Sequence, residues 1–227
     1  MASYEQHVDT LDRELQGLLE VFRGLSAEEW QRTTLLEPLD PDQPHWTLFE
    51  LAGHFDISIG LAAMLVDDPQ PGGQPGRDRV SFFIFPRSEV APVVYDYAYT
   101  MVEGKTPADM PGVLEATFAK VMEGARSNPP DLIGPGYYAL MELGEFIPSR
   151  IVETVVHGLD LTDPLGIDPI ATPAAVTECA AILDELLARR TVGTRPADLS
   201  DDMEWIRAAA GRRPQGKHPD PRLPLIG

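Results

Sequence analysis

R-I-V-E-T-V-V-H-G-L-D, residues 150–160, reads as a helix that is apolar over most of its surface and polar along one stripe. Ile151, Val152, Val155, Val156 and Leu159 supply the apolar surface. Arg150, Glu153, His157 and Asp160 follow spacings of three, four and three, so they share one face. Burying unpaired charge is expensive. The stripe therefore either faces solvent with local ion pairs, Arg150 with Glu153 and Asp160 with His157, or it faces something polar inside the fold. Glu153 and His157 lie one turn apart and can hold two positions of a divalent cation. A second stretch, W-T-L-F-E-L-A-G-H at residues 46–54, ends on His54, which could supply a third position from another helix. Three protein ligands leave one position open, the layout of a catalytic metal site.

Outward from these stretches the chain is helical. Val8, Leu11, Leu15, Leu18, Phe22 and Leu25 recur every three or four residues and predict a first helix. Ser26 with Glu29 makes a capping box beside Trp30, and Pro38, Pro41 and Pro44 mark a loop. Thr47 with Glu50 makes a second box that opens a helix to about Val66. Residues 67–78 read as loop. V-S-F-F-I-F at 80–85 is a strand, a buried helical turn or a lid segment, which period alone does not separate. Helices are expected from Pro107 to about Ser127 and from about Leu143 to Leu161, then at 173–192 and 200–210, before an irregular tail. This pattern predicts an all-α antiparallel four-helix bundle with a long connection between its second and third helices. The bundle would occupy residues 1–168, with residues 169–227 as a helical extension packed on it.

Composition narrows the function classes. The 227 residues are 43% hydrophobic and 24% charged, as in an ordinary globular chain. Asp and Glu number 36 against 18 Lys and Arg, for a net charge of −18, which disfavours nucleic acid and anionic membrane surfaces as partners. No uninterrupted apolar run approaches a membrane span, and the first residues carry no export signal, so a cytoplasmic location is expected. The single cysteine, Cys179, excludes an intrachain disulfide and reads as a small buried hydrophobe. There is no G-x-S-x-G, P-loop, dinucleotide fingerprint or C-x-x-C. His7, His45 and His218 read as solvated, although His45 or His218 could reach the mouth of a site. Trp30 and Trp46 read as core aromatics.

W-T-L-F-E-L-A-G-H-F resembles the W-[ST]-x-x-[DE]-L-x-x-H-[LF] that opens the second helix of the DinB-like, mycothiol-dependent maleylpyruvate isomerase superfamily. R-I-V-E-T-V-V-H-G-L-D-L resembles its R-x-x-E-x-x-V-H-x-x-D-[LV]. The resemblance covers roughly residues 5–166. It implies a four-helix bundle with a divalent metal, usually zinc, on His54, Glu153 and His157, with Fe2+ or Ni2+ as alternatives. It also implies a low-molecular-weight thiol such as mycothiol as cosubstrate, bound through sulfur and presented to a small electrophile. Residues 67–107 match no family motif, so the substrate does not follow from the resemblance.

Three functions are consistent with this reading. The first is a metal- and thiol-dependent isomerase or S-transferase, in which Asp160 orients an imidazole and Arg150 holds a carboxylate of thiol or substrate. Arg77, Arg79 and Arg87 are weaker candidates for the latter task. The second is an iron or zinc enzyme of different chemistry on the same three residues. The third is a non-enzymatic metal-binding or regulatory bundle with a fourth protein ligand, His45 or His218. A homodimer is compatible with the sequence but not specified by it.

Overall fold

The computed structural model describes residues 2–38, 40–213 and 215–226. Among these residues the helices are α1 (Tyr4–Gly24), α2 (Leu48–Asp67), α3 (Arg87–Val102), α4 (Met110–Ser127), α5 (Leu143–Leu165), α6 (Pro173–Arg190) and α7 (Asp202–Ala209). A short antiparallel hairpin pairs β1 (Ile133–Pro135) with β2 (Leu140–Glu142). α1, α2, α4 and α5 form an antiparallel four-helix bundle in which α1 and α2 each pack on α4 and α5. The chain is all-α apart from the hairpin, as its periodicity predicts.

Local chemistry sets the helix ends. The Thr47–Glu50 box forms, with the Thr47 N–H donating to Glu50 over 2.8 Å and the Phe49 N–H donating to Thr47 Oγ1 over 3.2 Å. It fixes the start of α2 and hence the angular position of His54 two turns later. α2 is long and apolar enough to cross a membrane by composition, with a mean hydropathy of 1.4. Here it is the bundle helix that meets α3, α4 and α5 together, which explains why both its faces are apolar. α5 is buried along almost its whole length, from Leu143 to Thr162. It runs past the expected end at Leu161 and stops where Gly166 takes the left-handed conformation, φ 69°.

The connection between the second and third bundle helices departs from expectation. Of the alternatives for V-S-F-F-I-F the buried helical turn is the one found: Ser81–Phe83 form a single 3-10 turn with Phe82 and Phe83 buried. It is followed by α3, a helix that the sequence reading did not anticipate. The hairpin replaces what reads as a simple helix break after Ser127. At the other end α6 packs on α5 and α1, and α7 packs on α6. The tail then returns, with the N–H groups of Leu225 and Ile226 donating to the Ala209 carbonyl over 2.7 and 3.1 Å. Arg190 ties that tail to the pocket segment by donating to the carbonyls of Leu225 and Phe83. The apolar core runs without a break from the bundle to Leu183, Leu187, Trp205 and Leu225.

Candidate metal centre

His54 on α2 and Glu153 and His157 on α5 meet where the two helices cross. His54 Nε2 lies 3.6 Å and His157 Nε2 3.5 Å from the same oxygen, Glu153 Oε2. One potential ligand atom from each residue falls within 4.8 Å of the others, and among the described residues this group has three members. The imidazoles stand edge to face, centroids 4.3 Å apart. Tetrahedral coordination with zinc–ligand bonds of about 2.0–2.1 Å sets ligand–ligand edges of roughly 3.3–3.4 Å, close to the two histidine–glutamate edges.

The neighbours define what each group can do. His157 Nδ1 is 2.8 Å from Asp160 Oδ2. A proton on Nδ1, donated to the carboxylate, leaves the Nε2 lone pair facing Glu153 and His54. His54 is buried with neither ring nitrogen hydrogen-bonded to protein. Burial and the adjacent His157 hold its pKa down, so it is a neutral base with a free lone pair. Burial opposes ionisation of Glu153, but its neighbours His54, Arg150 and His157 outweigh it and hold the carboxyl at about 2. Burial likewise opposes ionisation of Asp160. The charge of Arg212 and the hydrogen bond to His157 prevail, and Asp160 stays well below the usual carboxylate range.

Arg150 is almost fully enclosed. It donates through Nη1 to the Ser58 carbonyl over 2.7 Å and through Nε and Nη2 to Ser149 Oγ over 3.3 and 3.2 Å. Its guanidinium lies between the rings of Phe82 and Phe146, 4.5 and 4.6 Å from their centroids, and 3.9 Å from Glu153 Oε1.

A cavity of about 210 Å³ opens beside the three residues, and His54, Glu153 and His157 all line it. Phe82, Phe83, Phe85, Tyr95, Tyr97, Tyr137, Tyr138 and Trp46 give the wall an aromatic character. Trp46 lies over the His54 ring, centroids 5.2 Å apart, and Tyr95 stacks on Trp46. Trp46 Nε1 and Ser58 Oγ are buried without a protein partner. The segment 80–97 thus forms one wall. Arg87 and Arg212 add two cationic groups to the lining, close enough for Arg212 to depress the Arg87 pKa alongside its own desolvation.

The remaining sequence candidates fall elsewhere. Arg79 is bound by Glu145 and Glu178 outside this cavity, and Arg77 bonds the carbonyls of Ser81 and Phe82. His218 pairs with Asp198 at 3.0 Å, and neither it nor His45 joins the three-residue group. His7, read as solvated, is buried against Glu178 at 3.2 Å. Cys179 is fully buried, and burial pushes its thiol up, out of reach of a nucleophile's role. Arg212 was not singled out by the sequence: it reaches Asp160 across 52 positions, which no local spacing announces.

No family model and no curated protein matches this chain. Its structure is similar to two solved ones. One is the crystal structure of the mycothiol-dependent maleylpyruvate isomerase, at TM-score 0.67 and 15% identity, covering 95% of this chain and 92% of that one. The other is a point mutant of the same enzyme, at TM-score 0.66 and 13% identity with the same coverage. The chain therefore has the fold of that isomerase.

Proposed function

We propose that His54, Glu153 and His157 hold a divalent metal, zinc in first place, and that the site presents a low-molecular-weight thiol to a small electrophile for isomerisation or S-transfer. The observation that carries this reading is the convergence of two imidazole nitrogens and one carboxylate oxygen on a single point beside an open cavity. The donor set suits the metal: His54 Nε2 is an orphaned buried nitrogen, and His157 Nε2 is turned inward by Asp160. A metal in such a site, when bound, favours the thiolate form of a thiol near neutral pH. The chain's own thiol, Cys179, is enclosed away from the cavity, and the similar isomerase is mycothiol-dependent. A mycothiol-type cosubstrate follows as the proposal for this chain.

The surrounding residues have distinct tasks in this reading. Asp160 holds the His157 proton on Nδ1. Arg150 has its donors on Ser58 and Ser149, so its part is support of the Glu153 charge; Arg212 is likewise engaged, on Asp160, and capture of a carboxylate passes to Arg87 on the cavity wall. The aromatic walls exclude water from the reacting sulfur and suit an electrophile with an apolar body and one anionic end. The same two imidazoles and carboxylate are also a ligand set for non-haem iron, and metal content separates the two chemistries. The test is conversion of a panel of aryl-substituted enoic acids by the zinc-loaded protein at varied thiol concentration, followed both as cis–trans isomerisation, which regenerates the thiol, and as adduct formation, which consumes it. Turnover that saturates with thiol and disappears in Glu153→Ala is expected. Conversion at full rate without any thiol would overturn the reading.

A further inference from the structure

We infer that Arg212 is a positioning residue for the metal centre: it fixes Asp160, and through it His157, so that docking of the C-terminal segment completes the site. This rests on the reading of His54, Glu153 and His157 as metal ligands. Arg212 donates through Nε to Asp160 Oδ1 and through Nη2 to Asp160 Oδ2, each over 3.0 Å. Oδ2 is the oxygen that also holds His157 Nδ1. The Asp160 side chain is 1% exposed, so without Arg212 its charge would be buried with the imidazole as its one remaining side-chain partner. Without that fork the carboxylate is free to turn away from His157 Nδ1, and His157 then no longer presents its Nε2 lone pair in one fixed direction. A second-layer carboxylate of this kind commonly sets metal affinity by one to two orders of magnitude.

The rest of the C-terminal segment is built to hold that guanidinium still. The Arg212 N–H donates to the Arg207 carbonyl over 2.7 Å, and the Arg212 carbonyl accepts from Arg207 Nη1 over 3.1 Å. Gly211 adopts φ 71°, the left-handed turn that brings Arg212 back toward α5. A second pair lies beside the first: Arg207 grips Asp163 through both Nη atoms, over 2.7 and 2.8 Å. Asp163 is one turn beyond Asp160 and makes no contact with the three ligands, so the two pairs share their chemistry and differ in what they touch. If Arg212 positions the site, metal binding and docking of this segment favour each other by the same free energy.

The experiment measures Zn2+ affinity of the full chain by competition with a chromophoric chelator, in wild type, Arg212→Gln, Arg212→Lys and Arg207→Gln. Thermal melts show that each variant is folded. Arg212→Gln should weaken zinc by roughly 10- to 100-fold. Arg212→Lys should fall between, because it keeps the charge and loses the fork. Arg207→Gln loosens the segment but leaves the Arg212–Asp160 fork in place, so it should weaken zinc clearly less than Arg212→Gln while lowering the melting temperature. Nitrogen NMR of the zinc-loaded chain should show one sharp His157 Nδ1–H signal, held by Asp160, in wild type and a broadened, faster-exchanging one in Arg212→Gln. Equal zinc losses in both glutamine variants, or unchanged affinity and an unchanged Nδ1–H signal in Arg212→Gln, would overturn the inference. A wild-type chain that binds no zinc would overturn the metal reading itself, and this inference with it.

Discussion

Gly53 lies directly against the backbone of Ala98, so close that a Cβ on Gly53 would sit 2.5 Å from the Ala98 carbonyl oxygen and 2.8 Å from Val102 Cγ1. The residue before His54 is thus the point where α3 is laid on α2. Neither obstacle is a flexible side-chain end, so an added methyl must push the helices apart. Gly53→Ala is expected to cost about 1–3 kcal/mol by overpacking, a drop of roughly 2–12 °C in melting temperature for a chain of this size. Differential scanning calorimetry checks this, and an unchanged melting temperature would mean that α3 is not seated there.

Arg150 is held between Phe82 and Phe146 and faces Glu153. Arg150→Ala would leave the buried Glu153 charge without its cationic neighbour and open a void between two rings. A loss of roughly 3–5 kcal/mol is expected, measured by urea denaturation. A loss below about 1 kcal/mol would place Arg150 among surface ion pairs instead.

Glu14 is buried and accepts the Thr172 N–H over 3.0 Å. Burial raises its pKa above the ordinary 4.5, and the hydrogen bonds with Thr172 only partly offset this. The charged form is therefore disfavoured in the fold, and above the folded pKa that penalty is present in full. Glu14→Gln keeps an acceptor for Thr172 and removes the charge. It should raise the melting temperature at pH 7, and the gain should shrink as pH falls through the folded pKa toward 4.5. Melts of both proteins across pH 4–8 test the sign; a gain that grows on acidification would contradict it.

Cys179 is enclosed by the core under α6. The native protein should show almost no thiol reactive toward an aromatic disulfide reagent, and about one per chain after denaturation. Cys179→Ala should retain full metal content. Rapid labelling of the native chain would contradict the packing.

Most of the bundle was legible because its apolar residues recur every three or four positions, as Val8 to Phe22 and Leu48 to Ile59 do. The triad was legible for the same reason: Glu153 and His157 are one turn apart on a helix with no apolar face to spare. α3 was not. Its buried residues, Val90, Ala98 and Val102, are sparse, and Pro92 interrupts its first turns. Much of what holds it is Gly53 on α2 and the stacking of Tyr95 on Trp46, contacts that exist only once the chain has folded. Arg212 was hidden by distance. It follows a glycine near a proline-rich tail, and its meaning lies in a carboxylate on another helix.

The central claim is that His54, Glu153 and His157 bind one metal ion and leave a position open. Anomalous diffraction from crystals of the zinc-loaded protein, recorded on both sides of the zinc edge, tests it most directly. The expected result is one ion per chain, about 2.0–2.2 Å from His54 Nε2, His157 Nε2 and a Glu153 oxygen, with a non-protein ligand facing the cavity. Zinc absent from these three residues, or enclosed there by a fourth protein ligand, would contradict it.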